Sequence, residues 1–351
     1  MAAEPQPIPT SWRLEPLAGW HLPLLSDPAF VPLQPVLQRA VLLGLPERLI
    51  HALTARQAIA PVVLVAFSHQ VPLALIITRR LNRSGSCWQV QHLRLAGPAG
   101  QQDLGTTLLR EAIHRAKDAA SWIASASSLD SQRLAMLREQ GFQPLRTDQL
   151  WCWQASGATA PGSTTSPAAP SSLGELQLRT LNPRSGALLW LLEQAANPAH
   201  LRQLLDRRVE DLLDQSHGKG WMWVDPSRNQ AVAAVRWIGE HAGGGHDVEL
   251  TVHPGWEHLI GDGCEQLLQI ASQRLGDGEP LWLRSDVRDQ SRQHWLGQQG
   301  AQQHGERVLM ARSVWRRQEH PAQAKVGKGL EAVLGQLQPQ RRPMPTPVAP
   351  R

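Results

Sequence analysis

Glu249-Leu250-Thr251-Val252-His253-Pro254-Gly255-Trp256-Glu257-His258-Leu259-Ile260-Gly261-Asp262-Gly263-Cys264-Glu265-Gln266-Leu267-Leu268 is the stretch on which the reading turns. Val248, Leu250 and Val252 alternate with polar residues, the period of a half-buried strand. Pro254-Gly255 ends that strand. Gly261 and Gly263 then open a proline-free run of helix formers that reaches Gln273. Glycines at the mouth of a helix let a ligand approach the backbone closely. The unpaired N–H groups of a first turn point one way and carry partial positive charge, so the natural guest is a phosphate or pyrophosphate. The third glycine and the later acidic residue of a Rossmann turn are not evident here.

Working outward, the chain divides at a stretch made of Ala, Ser, Thr, Gly and Pro. Residues 155–173 hold too little apolar bulk to form a core and read as a linker. The remaining assignments are a leader (1–11), a first domain (12–154), a second domain (174–317) and a Pro-rich tail (318–351) with one short helix near 329–337. The first domain reads as strand, helical region, three antiparallel strands, helix, strand, helix and final strand. The second repeats that order.

Local matches fix the repeat. Asp130, Arg133, Leu137 and Gln140-Gly141 match Asp289, Arg292, Leu296 and Gln299-Gly300 at an offset of 159. Gly105 and Leu109 pair with Gly263 and Leu267 at 158, one residue of slip. A repeat this long is a duplicated domain, because solenoid units run at roughly 20–50 residues.

The element order, the Val-x-Pro lead-in at Val252 to Pro254 and the His-x-x-Gly-x-Gly turn at His258 to Gly263 resemble the GNAT acyltransferases, and Asp130 to Phe142 is similar to another segment of that family. The resemblance covers about residues 12–153 and 176–316. It implies an α+β fold: two tandem GNAT-like domains, each a mixed, mainly antiparallel sheet flanked by helices. It implies acetyl-CoA or another acyl-CoA as cosubstrate, without a metal, and an amine acceptor that is a small molecule or a peptide.

By the same resemblance, the backbone from Leu259 through Ile260, Gly261, Asp262 and Gly263 to Cys264 would hold the pyrophosphate, and Leu250 to Val252 the pantetheine arm. His258 stands where the family has Arg or Gln. Asp289 stands where the family has a cofactor-placing Asn, and it fits a helix N-cap equally. The first domain has Gly100 at the station of His258 and Asp103 at that of Gly261, which marks its loop as degenerate. An alternative register places Gln102-x-x-Gly105-x-Thr107 on the motif.

Acyl transfer to an amine needs a proton acceptor, and often an acid for the leaving thiolate. Glu249 is the candidate base, because it projects away from the Val248/Leu250 face; a solvent-facing strand residue fits the same alternation. In the family this chain resembles, that acid is commonly a tyrosine at the position of Leu296, or of Leu137 in the other half; both are leucine, and the chain contains no tyrosine. Two readings stay open: an N-acyltransferase, or a non-catalytic acyl-CoA-binding or interaction module.

Composition narrows the rest. The net charge of +5 is mild, and the arginines are spread along the chain, which speaks against a nucleic-acid partner. Cys87, Cys152 and Cys264 show neither disulfide nor zinc spacing, which favours a reducing, cytoplasmic setting. No apolar run reaches membrane-spanning length.

Overall fold

The computed structural model describes residues 12–43, 61–96, 102–155, 174–276 and 278–313. Most of the linker, the leader, the tail helix, Trp315 and the loop at 97–101 lie outside the described residues. The first half contains β1 (Arg13–Pro16), α1 (34–43), β2 (Val62–Ser68), β3 (Val71–Arg80), β4 (Cys87–Leu95), α2 (Gln102–Arg115), β5 (Ser121–Ser127), α3 (Ser131–Glu139) and β6 (Gln143–Trp153). The second contains β7 (Gln177–Thr180), α4 (Gly186–Ala196), α5 (Ala199–Leu205), α6 (Val209–Ser216), β8 (Gly220–Asp225), β9 (Gln230–Glu240), β10 (His246–Val252), α7 (Asp262–Leu275), β11 (Leu281–Asp286), α8 (Gln290–Gln298) and β12 (Gln302–Ser313). Short 3-10 turns precede α1 and α7.

All strands join one sheet in the order β1-β2-β3-β4-β5-β12-β6-β11-β10-β9-β8-β7. The last strand of each half is inserted into the other half. β12 runs antiparallel between β5 and β6, and β6 runs antiparallel between β11 and β12. Both strands begin about six residues earlier than the alternation at Gln149 to Trp153 and Val308 to Trp315 suggests. The extra length pairs mainly along one edge: Gln302, Gln303 and Glu306 of β12 lie in register with β6, and Gln143, Pro144, Arg146 and Thr147 of β6 lie in register with β12.

The insertion carries core side chains across. Trp151 and Trp153 of β6 lie in the core of the second half, among Val248, Leu267, Leu268 and Leu283. The Trp151 indole donates to Ser285 Oγ at 3.0 Å. Met310 of β12 lies in the core of the first half with Leu108, Leu109, Trp122 and Phe142. Burying a side chain of this size contributes about 1.5–3 kcal/mol or more.

Helices α2 and α7 cover one face of the sheet through the buried sets Leu108, Leu109, Ala112 and Leu267, Leu268, Ala271. These sets superpose at an offset of 159, not at the 158 that pairs Gly105 with Gly263. Gly105 therefore stands at the station of Cys264, and Gln102 and Leu104 at those of Gly261 and Gly263. Gly105 serves packing: a Cβ there would meet Met136 Sδ at 3.2 Å. On the other face, Leu25, Phe30, Leu33 and Leu37 pack on Val63, Val65, Leu75 and Ile77. Helices α4 and α6 cover Met222, Val224 and Ala234. Between them α5 crosses into the first half, setting Leu201 and Leu205 on Cys87, Ile123 and Ala311.

Candidate active site

Each half contains one parallel strand pair, and each pair opens into a wedge. β4 and β5 are paired from Cys87/Ser121 to Val90/Ala124, while β4 continues to Leu95. β10 and β11 are paired only at His246/Leu281 and Asp247/Trp282, while β10 continues to Val252. A register shift marks each apex, between Ile77 and Thr78 opposite β4 and between Asp247 and Val248 in β10. Irregularities of this kind end pairing and re-aim side chains. Beyond the apex, backbone groups on the inner edges are left without a strand partner.

At the mouth of the second wedge lies the glycine turn. Gly261 caps α7 with φ 149°, a conformation that side chains rarely adopt. The first helical hydrogen bond runs from Glu265 N to Gly261 O at 2.9 Å. The N–H groups of Asp262, Gly263 and Cys264 precede it and have no carbonyl within the helix. Asp262 and Glu265 bring two carboxylates to the same turn, which opposes an anion. The Trp223 indole donates to Gly263 O at 2.9 Å and fixes the turn on the sheet. His258 is exposed beside Trp256 and faces a depression of about 270 Å³. Leu259 and Cys264 are buried, and burial pushes the Cys264 thiol up to about 12. Ile260 is half-buried at the turn.

The expected site residues do not all stand free. Leu250 O, on the wedge edge, accepts from Arg292 at 2.9 Å, while the side chains of Leu250 and Val252 face the core. Asp289 caps α8 through the Arg292 N–H at 3.0 Å and pairs with the Arg292 guanidinium at 3.2 Å. Asp289 thus holds α8 and orients Arg292. Glu249 projects to the face opposite the core, as the alternation requires, and pairs there with buried Arg236. Partial burial works against its charge, but Arg236, Arg207 and Arg146 outweigh it and draw the carboxyl down to about 2. Arg236 is shared with Glu193 at 3.0 Å, and Glu193 also holds Arg207 at 3.3 Å. A carboxylate held this way keeps its charge and is a weak proton acceptor.

The apex brings together a pair the sequence reading did not find. His241 Nδ1 lies 2.9 Å from Asp247 Oδ1. The ring stacks on Trp282 at 3.9 Å and 13°, and Trp282 donates to Gly244 O at 2.8 Å. As a donor from Nδ1, the imidazole leaves Nε2 as its basic nitrogen, and among the described residues Nε2 has no hydrogen-bond partner. Gly245 makes this geometry possible. Its φ is 81°, and a Cβ would sit 2.1 Å from Pro280 O, so only glycine lets the hairpin close against the start of β11. His246 is engaged elsewhere, with Glu279 at 3.0 Å and Trp237 at 3.3 Å. A histidine five residues before His246, across a Gly-rich turn, was the signal available in the sequence.

No protein-family model matches the sequence, and no curated protein matches it. Solved structures do. A GCN5-related N-acetyltransferase from Sphaerobacter thermophilus superposes with TM-score 0.54 at 13% identity, over 88% of this chain and 97% of the other. The chain carries the GNAT fold in tandem. A tandem GNAT protein from the clavulanic acid biosynthesis pathway, in a form without AcCoA, superposes with TM-score 0.53 at 13% identity, over 87% of this chain and 99% of the other. Likeness at this identity concerns the architecture alone. Among the described residues no group of three His, Cys, Asp or Glu side chains could hold a metal ion, and no helix is long and apolar enough to cross a membrane.

Proposed function

We propose that this chain is an acyl-CoA-dependent N-acyltransferase, with acetyl-CoA as the donor, a small-molecule or peptide amine as the acceptor and the chemistry in the second half. The observation that carries the proposal is the His241–Asp247 pair at the apex of a wedge whose far end is the glycine turn. The N–H groups of Asp262, Gly263 and Cys264, which lack helical carbonyl partners, fit a pyrophosphate, and the β10 edge from Leu250 to Val252 fits the amide-bearing arm. Arg292 would give up Leu250 O to that arm. Acyl-CoA supplies the activated thioester. The residues here do the rest: the turn and the edge position the donor, and His241 Nε2 takes the proton from the acceptor ammonium. Asp247 holds the imidazole and stabilises its charged form. Glu249 is spent on its ion pair with Arg236. Leaving-group protonation falls to water or to the imidazolium, since Leu296 is buried where the resemblance puts a tyrosine.

The test is turnover of acetyl-CoA with an amine panel, paired with calorimetric binding. Binding and turnover by the full chain, with binding lost in Gly261→Glu, support the reading. Binding without turnover of any amine favours a non-catalytic acyl-CoA-binding protein, for which the missing tyrosine argues. Absence of binding overturns both.

A further inference from the structure

Three consecutive glycines, Gly243 to Gly245, close the hairpin behind the His241–Asp247 pair. Two of them are required by the backbone. Gly244 and Gly245 have φ of 88° and 81°, which side chains rarely adopt, and Gly245 also packs against the Pro280 carbonyl. Gly243 is under neither constraint, because its φ lies outside the left-handed region. The three atoms nearest to a Cβ built on it all belong to side chains: His241 Cδ2 at 3.3 Å, Trp282 Cζ2 at 3.5 Å and His241 Nε2 at 3.7 Å. What a side chain at 243 would crowd is the imidazole itself.

The stack fixes where that crowding falls. The His241 ring lies on Trp282 with centroids 3.9 Å apart and planes 13° apart. An atom that touches both rings of such a stack lies at its rim, not on its outer face. The Cβ position is therefore beside the Cδ2–Nε2 edge of the imidazole. With Nδ1 committed to Asp247, that is the edge from which Nε2 presents its lone pair. A group that passes a proton to Nε2 must come within about 2.6–3.2 Å of it. A methyl group 3.7 Å away would stand in van der Waals contact with the nitrogen, and a larger side chain would cover it. The rings cannot part to make room. Trp282 is tied to Gly244 O at 2.8 Å, and His304 meets the indole edge-on at 4.7 Å and 64°. The His241 side chain is 20% exposed, so little of the ring is reached from other directions.

We propose that Gly243 is the residue that admits the acceptor to His241. The space left by its missing side chain is the passage to Nε2, and the size of residue 243 sets how much bulk the acceptor carries beside its amine. A passage bounded by two ring edges and a bare backbone suits a primary amine on an unbranched carbon better than one on a branched carbon. The identity of the molecule that uses the passage rests on the acyltransferase reading; the passage itself does not.

The passage is tested without any acceptor, by carbethoxylation of the full-length chain with diethyl pyrocarbonate and peptide mass mapping. The reagent labels an uncharged imidazole nitrogen that it can reach. His241 should label in the parent, label more slowly in Gly243→Ala and lose its labelling in Gly243→Val. The exposed His69 and His200 should label alike in all three. Gly239→Ala is the control on the same hairpin: Gly239 lies opposite Asp247, and a Cβ there would meet nothing within 4 Å. His241 should label in it at the parent rate. Labelling that does not differ between the parent and Gly243→Val overturns the proposal, and so does equal slowing in Gly239→Ala. If the valine variant melts well below the parent, the alanine variant gives the reading. Turnover of acetyl-CoA then tests the selectivity. In Gly243→Ala, kcat/KM should fall by about 10–200-fold for an amine on a branched carbon and by less for one on an unbranched carbon, with KM for acetyl-CoA unchanged. An equal fall for both amines overturns the selectivity. Protection of His241 by valine, with no amine turned over by the parent, upholds the passage and removes the acyltransferase reading.

Discussion

The β3–β4 hairpin and the β9–β10 hairpin occupy the same place in the two halves, and their side chains are spent differently. The first is polar and faces the other half. Asn82 donates to Leu205 O at 3.2 Å and to Asp206 O at 3.1 Å, and Arg83 forks onto Asp214 at 2.6 and 2.9 Å. Ser86 Oγ donates to Asp206 at 2.7 Å. Every one of these partners belongs to α5, α6 or the turn between them. The second hairpin carries His241 on Asp247 and Trp282, with Gly245 closing it against Pro280. One hairpin serves as an adhesive contact, while the other holds a histidine–aspartate pair beside an open wedge. The same division appears one residue pair further along. Ile77 faces His92 across β3 and β4, where Arg236 faces Glu249 across β9 and β10.

The sharpest way to break this comparison is to remove the titratable pair. On the acyltransferase reading, His241→Ala should lower kcat by roughly 10²–10⁴-fold, the usual range for a general base. The KM for acetyl-CoA should change little, because the donor is held by the turn and the wedge edge. Asp247→Asn should lower kcat as well, by disturbing the imidazole tautomer. Steady-state kinetics with an unchanged kcat in His241→Ala would remove His241 from the chemistry and return Glu249 to consideration.

The next largest effect concerns the ion pair. Arg236 is 1% exposed and holds two carboxylates. Arg236→Leu leaves Glu193 buried beside a single remaining partner, and breaking a buried pair in this way costs about 3–5 kcal/mol. Urea unfolding measures it. At the equivalent station, Ile77→Leu keeps an apolar contact and should cost less than about 1.5 kcal/mol. The pair also sets an acid dependence. The folded carboxyl of Glu249 lies at about 2 against an ordinary value of 4.5, so its contribution is fully present above pH 4.5. It is lost as pH falls from there through 2. The melting temperature should drop less over that window in Glu249→Gln than in the parent, and an equal drop in both would show that the pair contributes nothing.

The adhesive hairpin should respond more weakly. Asn82→Ala removes two side-chain hydrogen bonds to the carbonyls of the other half and one from Cys87 N at 3.2 Å. A loss of about 1–2 kcal/mol is expected, with kcat retained once the variant is folded. If Asn82→Ala lowered kcat as far as His241→Ala, docking of the halves would have to be counted as part of the chemistry.

What could be read in the sequence follows from what is local. The order of elements, the caps at Asp130 and Asp289 and the left-handed stops at Gly141 and Gly300 are all properties of a few neighbouring residues. The mutual insertion of β6 and β12 is not local. Two similar final strands satisfy alternation equally well in either half, and it takes the strand pairing and the burial of Trp151 and Trp153 in the core of the other half to show where they went. Arg236 was equally hidden, because an arginine in a strand reads as solvent-facing until a carboxylate is found opposite it. His241 reaches Asp247 only through the hairpin register, which depends on a glycine with no room for a side chain. The slip at Gly105 arose because glycine identity, a weak local cue, outweighed the apolar stripe that fixes how the helix sits.

That corrected register yields the finest test of the comparison. At an offset of 159, Asp262 and Asp103 occupy the same place in the first turns of α7 and α2. Both put a negative charge where a helix start favours an anion, and both are exposed. If donor phosphates rest on the α7 turn, Asp262 repels them, and Asp262→Ala should tighten acetyl-CoA by about 0.3–1 kcal/mol, roughly two- to fivefold in Kd. Asp103→Ala should leave that affinity unchanged, because Gln102 and Leu104 stand where the second half has glycine. Calorimetry on the two full-length variants separates the halves without cutting a sheet whose strands are interleaved. A response to Asp103→Ala and none to Asp262→Ala would move the donor site to the first wedge.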